Sequence, residues 1–172
     1  TRQYLDIKKV YKLCQREDRW LKVDIKSPEE RSKNMSRIKN ERTKPEMFIR
    51  TMLYRHGLRF RVNYSELPGK PDLYFIRQKA AVFIHGCYWH RHPGCKYAYT
   101  PKSNQEFWIP KLEGNRKRDE KVIKQLNEQG IRVLIIWECT VRAMLKNEKL
   151  RENVLCEILN FLNERNDVIM NI

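Results

Sequence analysis

No apolar run in this chain approaches the length of a membrane helix, and its opening residues do not read as a signal peptide. Histidine is scarce, with 4 among 172 residues, and glycine is little commoner, with 6. Acidic residues are outnumbered 36 to 21 by Lys and Arg, which leaves a formal charge of +15. Cysteines number 5, an odd and unevenly spread set (Cys14, Cys87, Cys95, Cys139, Cys156). Each shortage excludes something. Without an apolar run of that length, a helical membrane protein is excluded. An odd, scattered cysteine set argues against a disulfide framework, so the expected compartment is a reducing cytoplasm. There, clustered Cys and His point to metal. The deficit of acid favours a polyanionic partner, nucleic acid first, and aromatic residues interleave with the bases where they could stack.

The length suits one domain with an appendage. Residues 1–26 carry a helical pattern and are expected to be an N-terminal extension to a main domain over 27–172. Ser27-Pro28-Glu29-Glu30 is a capping box with Pro at the first helical position. The basic helix RSKNMSRIK should follow it, and Thr43-Lys44-Pro45-Glu46 opens another, with Phe48, Met52 and Leu53 inward and Gly57 at its end. LRFRVNY alternates like a strand, LPGKPDLYFI turns at Pro68-Gly69 into a second at Asp72, and AAVFIHG is a third. The spacing predicts helix from Asn104 to Gln129, then a fourth strand, IRVLIIWE, then two closing helical segments. Continuous apolar runs in the third and fourth strands suit buried central positions. The order α-β-β-β-α-β-α predicts an α/β fold, a mixed sheet flanked by helices.

Three of the 4 histidines (His85, His90, His92) fall in FIHGCYWHRHPGC with two of the 5 cysteines. A structural zinc takes four tetrahedral thiolate or imidazole ligands. His85, Cys87, His90, His92, Cys95 and, after the fourth strand, Cys139 compete for those places. Cys87, His92 and Cys95 are spaced so that one loop can wrap an ion, and Cys139 can complete a Cys3His site. A histidine-rich catalytic zinc with an open position fits the same spacing. Nearby, Pro71-Asp72 starts one strand and Phe83-Ile84-His85 ends the next. That layout resembles the PD-(D/E)xK nuclease pattern, with His for Lys and an apolar residue for the second acid. A nuclease needs a carboxylate to hold Mg²⁺ at the scissile phosphate, so the Ile84 carbonyl would have to replace the missing acid.

RSKNMSRIKNERTKPE, LPGKPD, FIHGCYWHRHPGC, NRKRD and VLIIWEC together resemble the very-short-patch repair (Vsr) DNA mismatch endonucleases, from about Pro28 to about Val141. The resemblance implies a restriction-endonuclease-like fold with one structural zinc, and Mg²⁺-dependent nicking of one strand of duplex DNA beside a T:G mismatch left by deamination of 5-methylcytosine. It implies Asp72 and the Ile84 carbonyl as Mg²⁺ ligands, His90 as general base, His85 in the same site, and Glu46 orienting the histidine and water network. It assigns Cys87, His92, Cys95 and Cys139 to zinc. Tyr88 and Trp89 would insert beside the mismatch from the major groove and Met35 from the minor groove, at least cost where pairing is already poor. A bacterial, nucleoid-associated monomer, working with other repair proteins, completes this expectation. Matched-sequence restriction or homing cleavage, and non-catalytic zinc-stabilised DNA binding, are its alternatives.

Overall fold

A computed structural model describes residues 27, 29, 30, 33, 36, 41–164 and 168–172. The extension 1–26 and Met35 lie outside the described residues. Ser27 and Glu30 close the expected capping box, Ser27 N to Glu30 Oε2 at 3.1 Å and Glu30 N to Ser27 Oγ at 3.2 Å.

Helix α1 (Lys44–Arg55) starts at the second capping signal, with Thr43 as N-cap, and gives way at His56 and Gly57, whose φ is 81°. Strands β1 (Arg61–Val62), β2 (Leu73–Phe75) and β3 (Ala80–His85) form an antiparallel meander. Helix α2 (Gln105–Glu128) carries the chain over to β4 (Arg132–Trp137), which lies parallel to β3 with His85 paired to Trp137. Two helices follow, α3 (Glu138–Met144) and α4 (Glu148–Asn163), and β5 (Ile169–Asn171) joins β4 in parallel. The sheet order is β1-β2-β3-β4-β5.

The architecture is thus a mixed α/β sheet flanked by helices, with one strand more than expected. β5 is too short to show periodicity, and only its pairing with β4 makes it a strand. β1 is shorter than the LRFRVNY alternation suggested, because both of its residues are exposed and only two ladder partners hold them.

Between Arg132 at the start of β4 and His85 at the end of β3, the central strands are apolar because both faces are covered. Ala80, Val82, Leu134 and Ile136 turn to one side, where Ile49, Leu53, Val141, Ile158 and Leu162 of α1, α3 and α4 meet them. Ala81, Phe83, Val133, Ile135 and Trp137 turn to the other, against Leu126 of α2. This parity decides the site: His85 shares the α2 side of β3 with Ala81 and Phe83. The Pro68-Gly69 turn also rests on α2. A Cβ at Gly69 would lie 2.4 Å from Val122 Cγ1, and its φ of 73° already favours glycine.

A candidate active site beside a candidate metal centre

Asp72 precedes β2 and His85 ends β3; because these strands are antiparallel, both stand at one end of the sheet. Asp72 Oδ2 accepts the Ile84 backbone N–H at 2.7 Å, which ties the two strand ends together. Burial, opposed by that bond and reinforced by the Glu46 charge, raises the Asp72 carboxyl from its ordinary 3.8 to about 6. Glu46 itself is buried. Its Oε1 accepts the Thr43 hydroxyl at 2.8 Å, and its Oε2 accepts the Arg42 N–H at 2.8 Å and Arg50 at 3.2 Å. Glu46 therefore caps α1 and bears on the site through its charge on Asp72; none of those bonds goes to a histidine.

The carboxylate that meets a histidine is Asp119 of α2, with Oδ2 2.6 Å from His90 Nδ1. His90 and His85 stack with ring centroids 3.8 Å apart and planes 9° from parallel. Burial, then the neighbouring His90, pushes His85 down to about 3, so it stays neutral at physiological pH. Sequence reasoning gave Asp119 no role. Its signal was the NRKRD segment, where Asn115 and Asp119 lie one turn apart on one helix face. Asn115 also contributes, its Nδ2 donating to Trp89 O at 3.1 Å. Glu46, Ile84, His90, Asn115 and Asp119 line one cleft of about 880 Å³, together with Trp89, Lys44, Lys111, Arg118 and Glu138.

The loop after β3 serves a second centre. The ligand atoms of Cys87, His92, Cys95 and Cys139 all lie within 4.8 Å of one another and could hold a metal ion. Cys87 comes from the loop's start and Cys139 from the first turn of α3, so the centre joins loop to sheet end. The His92 ring stacks on Trp137 at 4.0 Å and 2°. Burial pushes the Cys87 thiol up to about 12, so a cation must displace a tightly held proton there. Between the two centres, Tyr88 and Trp89 are half-buried and outside the core. Trp108 completes an aromatic group with them, its centroid 6.1 Å from Trp89 and 6.2 Å from Tyr88.

The family model described as DNA mismatch endonuclease Vsr matches residues 23–96. The Type II nicking enzyme V.XorIIP of Xanthomonas oryzae pv. oryzae is 38% identical over 133 residues, 77% of this chain and 97% of that relative. The DNA mismatch endonuclease Vsr of Escherichia coli is 40% identical over 137 residues, covering 80% and 85% respectively. The Type II nicking enzyme V.NmeAIP of Neisseria meningitidis is 40% identical over 120 residues, covering 70% and 85%.

The chain belongs to the Vsr family. It is a DNA endonuclease, and DNA is its substrate. The nuclease family suggests a divalent metal, and the Cys/His cluster could hold a metal ion. Among the described residues, no helix of this Vsr-family protein is long and apolar enough to cross a membrane.

Proposed function

We propose that this Vsr-family enzyme nicks one strand of duplex DNA beside a T:G mismatch, in the repair of deaminated 5-methylcytosine, using Mg²⁺ at Asp72 and a structural zinc at the Cys/His cluster. The observation that carries the reading is one cleft that joins a hydrolytic constellation to an aromatic wall. His90, Asp119 and Trp89 line that cleft, and Asp72 reaches its edge through the bond to the Ile84 N–H.

The donors fit both ions. Tetrahedral zinc, with bonds of about 2.3 Å to sulfur and 2.0–2.1 Å to nitrogen, puts those donors about 3.5 Å apart. His92 Nδ1 lies 3.6 Å from Cys87 Sγ and 3.4 Å from Cys139 Sγ. At the cleft, a carboxylate raised to about 6 by burial and a neighbouring acid is undercompensated negative charge, which suits a hard cation on oxygen ligands. Asp72 and the Ile84 carbonyl would hold Mg²⁺, which supplies charge neutralisation at the scissile phosphate and a more acidic water.

The chain's own residues do the rest. With its Nδ1–H donated to Asp119, His90 leaves Nε2 free to take a proton from the attacking water. A P–O bond to the water oxygen forms as the bond to the leaving sugar oxygen breaks. Asp119 then faces the imidazolium it stabilises, while neutral His85 holds the ring of His90 by stacking. A restriction-endonuclease-like core over 27–172, with 1–26 as an extension and a monomer acting in the bacterial cytoplasm alongside other repair proteins, is part of the same proposal.

The relatives named Type II nicking enzymes favour a second reading, cleavage at a matched sequence. The test uses Mg²⁺ and paired end-labelled duplexes that differ only by one T:G mismatch, in several flanking contexts. A nick confined to the mismatched duplex is expected. A nick or a double-strand break at a specific site of the matched duplex would establish the second reading, and tight binding without cleavage under any metal would leave neither.

A further inference from the structure

Glu138 opens α3 directly after β4, and the His85–Trp137 pairing brings it alongside Gly86 at the cleft wall. Arg142, one turn on, grips a single oxygen: its Nε and one terminal nitrogen donate to Glu138 Oε1 at 3.0 and 2.5 Å. The guanidinium also lies over the Tyr97 ring, 5.2 Å from its centroid, so the carboxylate is braced from outside the cleft. The other oxygen, Oε2, has no hydrogen-bond partner among the described residues. It stands over Gly86, where an added Cβ would lie 3.7 Å from Oε2 and 3.3 Å from Trp89 Cδ1.

A fixed carboxylate is an odd wall for a DNA cleft, since it repels phosphate. The cleft's other acids have work that explains them: Glu46 caps α1 and holds Arg50, and Asp119 holds His90. Glu138 has a braced oxygen left over, beside the indole that the proposed function directs at the bases. A carboxylate is acceptor-only, so a nucleobase can satisfy it only with a donor. In the major groove, cytosine N4 and adenine N6 are donors, whereas guanine and thymine present acceptors alone.

We propose that Glu138 Oε2 is a base-reading group, which accepts a hydrogen bond from the exocyclic amino group of a cytosine or adenine in the base pairs next to the nick. The inference deepens the proposed function and rests on it for the groove that Trp89 faces. It makes Glu138 a specificity-determining residue outside the hydrolytic chemistry. Gly86 keeps the approach to Oε2 open, because a Cβ there would press on Trp89 and fill the space in contact with Oε2.

The experiment offers duplexes with randomised base pairs around a T:G mismatch, and the same library fully matched, to wild-type protein, Glu138→Ala and Glu138→Gln. Both the nicked and the bound pools are sequenced, so an inactive preparation still reports preference. Wild type should favour cytosine or adenine over guanine and thymine at one flanking position by roughly tenfold or more. Glu138→Ala should erase that preference at that position alone. Glu138→Gln, which can also donate, should shift it towards adenine. Replacing the preferred cytosine with 2-pyrimidinone, which lacks the amine, should impair wild type and leave Glu138→Ala unaffected. The inference is overturned if no positional preference is lost in Glu138→Ala. It is equally overturned if all contexts fall together, with lower Tm or lost zinc, because that marks a structural brace. Equal action on matched and mismatched libraries would instead sink the mismatch reading, while a position-specific loss in Glu138→Ala would still support the base contact.

Discussion

Asp72 shows how a residue suited to function can strain the fold. Burial raises its carboxyl from 3.8 to about 6, so the folded protein holds the proton more tightly than the unfolded chain does. The associated stability is fully present below about 3.8 and is lost as pH rises through 6. Above that, ionised Asp72 costs up to about 3 kcal/mol in metal-free protein. Asp72→Asn should therefore abolish nicking yet raise Tm at pH 8 in chelator, with the gain vanishing near pH 4; a lower Tm at pH 8 would show the carboxylate already compensated. Asp119 makes the complementary case. Asp119→Asn keeps the shape beside His90 Nδ1 but removes the charge facing an imidazolium, so kcat should fall roughly a hundredfold with duplex affinity unchanged. Single-turnover nicking and a binding titration separate the two, and unchanged kcat would remove Asp119 from the chemistry. Pro-Asp before a strand is a common turn element, and only its place beside the histidine cluster singles Asp72 out from sequence. Asp119 could not be singled out, because its partner is 29 residues away and only the crossover through α2 brings them together.

At the scale of elements, the loop from Gly86 to Thr100 has no Val, Ile, Leu, Met or Phe and leans on other restraints. Arg91 ties its ends by donating to Ala98 O at 3.0 Å and to Thr100 Oγ1 at 3.2 Å, and the Cys/His cluster joins it to α3. A structural ion contributes its binding energy to folding, so Cys139→Ala should lose zinc and lower Tm well beyond Cys156→Ala, an exposed thiol outside the cluster. Calorimetry with metal analysis checks this, and equal Tm and zinc content in both variants would refute the role. The central strands were legible because 80–84 and 133–137 are apolar at every position, which only two covered faces explain. α1 was legible from its cap and Gly57. β5 was not, since Ile169–Asn171 has no pattern apart from β4. Nor was the double use of Glu46: a capping-box acid and a cleft acid look alike in sequence, and only the bonds to Thr43 and Arg50 show how the carboxylate is occupied.

For the whole molecule, a charge of +15 predicts affinity for DNA but not where the duplex lies. Position follows from which cations are already neutralised. Arg50, Arg116 and Arg142 each hold a glutamate, whereas Lys44, Lys111 and Arg118 line the cleft with no acidic partner among the described residues. A second concavity, holding Arg59, Arg61 and Arg77, lies past the end of β2 opposite Asp72, at the far end of the sheet from the cleft. Each phosphate neutralised contributes about −0.9 to the slope of log K against log salt. Replacing Lys44, Lys111 and Arg118 together with Ala should flatten the slope for a short duplex by up to about 3. The same replacement at Arg59, Arg61 and Arg77 removes equal charge, yet should leave the slope nearly unchanged because those groups lie away from the duplex in the cleft. Affinity measured over a range of salt concentrations compares the two directly. Equal flattening by both triples would mean that diffuse net charge governs association, and that the cleft holds DNA only once some other contact has brought it there.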